Sequence, residues 1–188
     1  MKTGPIIGIV VVLALLLGSC EFVSTRNNLA REKEAISGQW SQVDADLQRR
    51  ADLVPNLVET VKGYAKEETS VVQEVANARA ALGGAQTPQQ KIDANTRLDG
   101  ALGRLLVVVE NYPNLKANEN FKQLQYELAG TENRILQSRR RYNEAVQKYN
   151  TDLSLFPANI VASMSGFQRE DAYFKTEPGA RTVPKVQF

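Results

Sequence analysis

The chain has 188 residues with 23 basic and 21 acidic side chains. That length supports one domain with a real core, and the near-neutral balance points to neither nucleic acid nor a strongly acidic partner. It contains no histidine and one cysteine, which excludes Ser-His and Cys-His nucleophile pairs, histidine metal sites and any intrachain disulfide. The expectation is a protein that is not an enzyme and holds no cofactor or metal.

Lys2 precedes the run Ile6–Cys20, IIGIVVVLALLLGSC. As a helix this run is about 22 Å long, short of the ~30 Å hydrocarbon core of a bilayer, and Glu21 stops it. A basic start, a short apolar middle and small closing residues describe a secretory signal. The cysteine directly after Leu17-Gly18-Ser19 makes residues 1–19 a lipoprotein-type signal, with Cys20 lipidated and first in the mature chain. The expected address is a bacterial membrane, with the domain tethered outside the cytoplasm by acylated Cys20. The alternative is an uncleaved single-pass anchor. Arg26, Arg31 and Lys33 after the run, against Lys2 before it, would then keep the domain in the cytoplasm.

Beyond Cys20 the apolar pattern turns helical. Trp40, Val43, Leu47 and Ala51 recur at spacings of three and four and predict helix A over about 25–51. Asp52 is a plausible cap and Pro55 is tolerated in a first turn. Helix B is therefore expected over about 54–82, with Val54, Leu57, Val58, Val61, Ala65, Val72, Val75 and Leu82 inward and Gly83-Gly84 at its end. The apolar rhythm does not break at Pro55, so a kinked continuous helix is the alternative. A hairpin is preferred because one helix of nearly that combined length would reach about 90 Å with nothing comparable to pack against.

Thr87-Pro88-Gln89-Gln90 carries a capping threonine, a proline at the first helical position and a glutamine three after the cap. It opens helix C, with Ile92, Leu98, Leu102, Leu105 and Val109 inward and Asn111-Tyr112-Pro113-Asn114 as the stop. Helix D begins near Asn118, and its stripe is Phe121, Leu124, Leu128, Thr131, Ile135, Ser138, Tyr142, Ala145 and Tyr149, the pattern of a bundle seam. It ends near Leu155-Phe156-Pro157. The expected fold is all-α, an antiparallel up-and-down four-helix bundle over residues 20–156 with an N-terminal membrane-targeting segment. Residues 157–188, with Pro178, Pro184 and aromatics such as Phe167, Tyr173, Phe174 and Phe188, are expected to form an extended tail packed partly along the bundle. A segment offered to a partner or a membrane surface is the alternative. Gly38, Gly63, Gly100, Gly103 and Gly130 suggest close helix packing, since each costs ~1 kcal/mol inside a helix.

Few residues stand out as candidates for chemistry. Tyr142-Asn143 and Tyr149-Asn150 lie two helical turns apart on nearly the same face, where a buried asparagine can fix register. Arg49, Arg50 and Asn56 could gather donors for an anion at a helix start, although such arginines more often pair with acids such as Glu59. Arg139-Arg140-Arg141 fan around the helix and make no basic stripe. The glutamates Glu67, Glu68, Glu74, Glu110, Glu119, Glu127 and Glu132 lack the histidine of a di-metal bundle.

The stretches WSQVDADLQRRADLVPNLVETVKGYAKEE, VANARAAL, NYPNLKANENFKQLQYELAGTENRILQSRRRYNEAVQKYN and FPANIV together resemble the LemA family over roughly residues 24–175. The resemblance implies an up-and-down four-helix bundle behind an N-terminal membrane segment, and no established activity. It also implies membrane-linked roles, including magnetosome formation in one branch. Leu-Gly-Ser-Cys departs from the family's commoner full-length anchor and puts its usual cytoplasmic topology in doubt. The expected role is a membrane-tethered, non-catalytic scaffold for an unidentified membrane-associated protein; membrane remodelling is an alternative.

Overall fold

The computed structural model describes residues 3–174 apart from Lys66, with side chains from Gly8 onward. Met1, Lys2 and the stretch 175–188, which holds Pro178, Val183, Pro184, Val186 and Phe188, lie outside the described residues. Among the described residues the regular structure is entirely helical: α1 Thr3–Tyr64, α2 Thr69–Gly84, α3 Pro88–Val109, α4 Pro113–Ala117, α5 Glu119–Asp152 and α6 Ala158–Ser165.

Pro55 does not separate two helices. It lies inside α1, so the expected hairpin near Asp52 is corrected to one continuous helix ending at Tyr64. Proline has no N–H for the carbonyl four residues back, here that of Ala51. Arg79 Nε of α2 donates to that oxygen at 3.3 Å, replacing the missing partner. α1 ends at Tyr64, ahead of a stretch of sequence, 66–70 or Lys-Glu-Glu-Thr-Ser, that is polar in succession. An apolar stripe that needs a member every three or four positions lapses there. The inward residues are nonetheless those expected: Val43, Leu47, Ala51, Val54, Leu57, Val58, Val61, Ala65, Val72, Val75 and Leu82 are all buried. Periodicity assigns the face wherever the helix ends.

At α3 the Thr87 hydroxyl accepts from Gln90 N and the Gln90 side chain accepts from Thr87 N, both at 3.2 Å, closing the capping box. The stop after α3 contains the short helix α4, which starts on Pro113 and buries Leu115 completely. Asn118 caps α5 by accepting from Phe121 N at 3.0 Å. Thr131 and Ser138, polar members of the α5 stripe, are buried and satisfied by donating to Leu128 O and Arg134 O.

The segment from Pro157 is not an extended tail throughout. Residues 158–165 form α6, which buries Val161 and Ala162. Gly166 ends it in the left-handed conformation at φ 74°, and Phe167 N donates to Ala162 O at 3.0 Å. This is the glycine stop that a side chain with a Cβ resists. The Phe156–Pro157 peptide is cis. The interior glycines do not mark close approach: a Cβ on Gly38, Gly63, Gly100, Gly103 or Gly130 would meet nothing within 4 Å.

The chain expected to make one domain over 20–156 divides into two compact units. The first takes the chain up to Gln39 with Arg141–Asp171, and buries Leu29, Ile36, Tyr142, Val146, Tyr149, Leu153, Val161 and Ala162. The second takes Trp40–Arg140 with residues 172–174. There α3 pairs with α1 through Lys91 and Asp44 and with α2 through Arg104 and Glu74. In the first unit, α1 carries an 18-residue window of mean hydropathy 2.1, none of it buried, which by length and composition suffices to cross a membrane. Glu21 does not end that window. Most apolar side chains along it are exposed, Leu15, Leu16 and Leu17 at 66, 62 and 70% among them, and Phe22 is half-buried.

Candidate functional site

In the second unit Arg50 stands on the inner stripe of α1, one turn beyond Leu47, and its side chain is 8% exposed. A guanidinium there must be matched by opposite charge. Its Nη1 lies 2.5 Å from Asp99 Oδ1 on α3 and 2.8 Å from Glu132 Oε2 on α5. Asn95 Nδ2 donates to Asp99 Oδ2 at 2.9 Å, and Arg139 Nη2 stands 3.6 Å from the same oxygen. The guanidinium carbon of Arg139 is 4.8 Å from the centre of the Phe174 ring, which stacks on Trp40 at 6.2 Å. Two arginines thus face two carboxylates. Burial pushes the Asp99 carboxyl above its ordinary value, Arg50 pulls it back, Glu132 pushes it up and Arg139 opposes. Arg50 and Glu132 also wall a cleft of about 360 Å³ whose other sides include Leu57, Leu102, Leu106 and Leu128.

In the first unit the last turns of α5 hold the chain that follows α6. Tyr149, fully buried, donates its hydroxyl to Gln168 O at 2.9 Å. Asn150 donates to Glu170 O at 2.8 Å and accepts from Glu170 N at 3.0 Å. One amide side chain therefore satisfies both backbone groups of a residue that has no helix or strand to join. Nearby, Lys148 bridges Glu32 of α1 and Asp152, the latter at 2.7 Å. Burial raises the Glu32 carboxyl above its ordinary value, against the pull of Lys148. The hydrogen bond from Lys148 lowers Asp152, and the two acids together raise Lys148. The three line a cleft of about 670 Å³ with Thr25, Arg31 and Leu155. Among the described residues no three metal-binding side chains converge on one point.

The expected donor group at a helix start is not assembled. No helix begins near Asn56, which is exposed and whose carbonyl accepts from Thr60 Oγ1 at 2.8 Å. Arg49 is exposed while Arg50 is buried, and the partners of Arg50 are Asp99 and Glu132 rather than Glu59. Tyr142 is buried and Asn143 half-buried, so the two Tyr-Asn pairs are not equivalent. Asn150 clasps the backbone after α6. Cys20 is exposed on α1. Sequence reasoning passed over Asn95 and Asp99, although their signal was present: polar residues lodged within the stripe Ile92, Leu98, Leu102. Glu32, Lys148 and Asp152 were passed over as well, because Glu32 sits among Arg31, Lys33 and Glu34 and its partner Lys148 is 116 residues away in sequence.

The sequence model of the LemA family matches residues 39–188, most of the chain. The chain belongs to the LemA family. Among LemA-family relatives, the magnetosome protein MamQ 2 of Paramagnetospirillum magneticum is 26% identical over 207 residues, covering 95% of this chain and 76% of that protein. The magnetosome protein MamQ of Magnetospirillum gryphiswaldense is 24% identical, covering 91% of this chain and 72% of its own length. Protein LemA of Metamycoplasma hominis is 25% identical over 142 residues, covering 75% of this chain and 65% of its own.

Proposed function

We propose that this LemA-family chain is a membrane-tethered, non-catalytic scaffold that presents a helical bundle to a membrane-associated protein partner. The observation that carries this reading is the exposed apolar stretch of α1, which closes on the exposed Cys20. Acylated Cys20 would hold the domain at a bacterial membrane outside the cytoplasm. One acyl chain binds a membrane marginally, with K about 10⁴ M⁻¹, and two or more anchor stably. The perturbed acids Asp99 and Glu32 support a structural role, since burial and a neighbouring carboxylate account for each upward shift while a basic ion-pair partner opposes it.

The second unit reads best as an antiparallel up-and-down four-helix bundle of α1 from Trp40, α2, α3 and α5 up to Arg140. The pairs Asp44–Lys91 and Arg50–Asp99 advance together along α1 and α3. Arg50–Glu132 and Tyr64–Asn118 advance in opposite directions along α1 and α5.

A specific observation favours a single-pass protein as a second reading. The helix runs unbroken through Cys20 and Glu21, and the MamQ 2 match covers 95% of this chain, more than the bundle alone. Intact mass of the protein purified from its native membrane separates the two. Loss of residues 1–19 with added acyl mass supports the lipoprotein; an uncleaved chain with a bare thiol overturns it. Cross-linking in intact cells, with Cys20→Ser as the released control, then tests the scaffold: recovery of lipid or self-products alone counts against a protein partner.

A further inference from the structure

Residues 153–168 contain no charged side chain, an unusual composition for a surface segment. Four of their large apolar residues are open to solvent: Leu155 at 55%, Phe156 at 79%, Ile160 at 51% and Met164 at 73%. Ile160 and Met164 are one four-residue step apart on α6 and share one face, and Leu155 and Phe156 lie in the turn that enters it. The opposite face is spent on the unit's own core, through Val161 and Ala162. Contiguous apolar exposure of this kind marks a surface that meets another apolar phase.

The position of this face within its unit identifies that phase. Lys148 of α5 pairs with Glu32 of α1. Seven residues after Lys148, in the turn beyond the end of α5, comes Leu155, and seven residues back along α1 comes Thr25. These two line the same cleft, with Ala158 of α6 beside them. The α5–α6 corner is thus level with Thr25, which follows Val23 by two residues and Cys20 by five, about 3 and 7 Å along a helix. That is the depth of the headgroup layer beside the end of the apolar stretch. An interfacial helix buries its apolar face about 5–10 Å at this boundary.

We infer that the Leu155–Phe156–Ile160–Met164 face is a second membrane contact, seated in the interfacial layer of the bilayer that carries the N-terminal segment. The inference rests on the tether proposed above and holds for a lipidated Cys20 and for an uncleaved anchor alike, because both place the lipid surface near residues 20–23. The contact would fix the first unit's orientation on the membrane, where a tether alone leaves it free to swivel.

The test uses the full chain reconstituted in phosphatidylethanolamine–phosphatidylglycerol vesicles, with Phe156→Trp as reporter and the wild type, which contains Trp40, as baseline. Lipids brominated near the headgroup end of the acyl chain are expected to remove emission from the reporter well beyond the wild-type loss. Bromines at the bilayer centre should remove less. Adding Ile160→Glu and Met164→Glu, both at exposed positions, should abolish the extra loss while the protein still floats with vesicles. A Phe156→Trp protein without the glutamates that floats but loses no more emission than the wild type overturns the inference and leaves the tether standing. Failure of the wild type to float overturns the tether and this contact with it. Shielding of the reporter from aqueous acrylamide without quenching by brominated lipid means that protein covers the face, a second copy or a partner, and also overturns it.

Discussion

Arg79 on α2 donates to the carbonyl of Ala51 on α1, the oxygen that Pro55 deprives of its helical partner. The proline therefore survives in the middle of a long helix because a neighbouring helix supplies the lost donor. Interior proline costs ~3 kcal/mol or more in an isolated helix, part of it an unsatisfied carbonyl that here is paired.

The two residues should accordingly be coupled. Pro55→Ala restores the N–H and should stabilise the protein by about 2 kcal/mol, after allowing for the greater freedom of its unfolded chain. Arg79→Met should cost about 1 kcal/mol in the wild type and close to nothing in the Pro55→Ala background. A double-mutant cycle by urea unfolding measures the difference; strict additivity would refute the compensation.

Removing Arg50 should leave the half-buried Asp99 without its main counter-charge. Fully buried pairs broken in this way lose about 3–5 kcal/mol. Asp99 and Glu132 are 29% and 45% exposed, so water takes part of the load and Arg50→Met should cost about 2–3 kcal/mol at neutral pH. The loss should shrink in acid, where Asp99 becomes neutral, and shrink also when Asp99→Asn is added. Urea unfolding of the three variants at neutral and acid pH provides the check.

Glu32 and Asp152 should pull stability in opposite directions with pH. The Glu32 carboxyl lies above its ordinary 4.5 in the folded protein. The folded state therefore holds the proton longer than the unfolded one, and this contribution to stability falls as pH rises from 4.5 through the folded value. Asp152 lies below its ordinary 3.8; it contributes stability above 3.8 that is lost as pH falls through its folded value. Glu32→Gln should therefore improve relative to the wild type as pH rises through the window just above 4.5. Thermal melts of both proteins across that window report the trend. A constant offset between the two curves would rule out the raised Glu32.

Gly130 stands in the interior of α5 with open space where a Cβ would go. Gly130→Ala should stabilise by about 0.5–1 kcal/mol, seen as a rise in Tm of about 2–4 °C per kcal/mol for a chain of this size. A fall in Tm would mean that the glycine has a packing partner after all.

The amino-acid sequence alone determined which side chains turn inward. Val43 through Leu82, Ile92 through Val109 and the α5 stripe from Phe121 to Tyr149 follow a helical period that the chain carries within itself, and so does the cap at Thr87. Local chemistry also marked the apolar stretch that ends at Cys20. The tertiary structure decided that α1 continues through Pro55, which acids Arg50 meets, and that Asn150 clasps the chain after α6. These depend on contacts between residues far apart in sequence. A proline breaks a helix only if nothing else can serve the orphaned carbonyl, and a buried arginine pairs with whichever carboxylates the helix register brings beside it. Periodicity is a property of one helix, whereas compensation is a property of two.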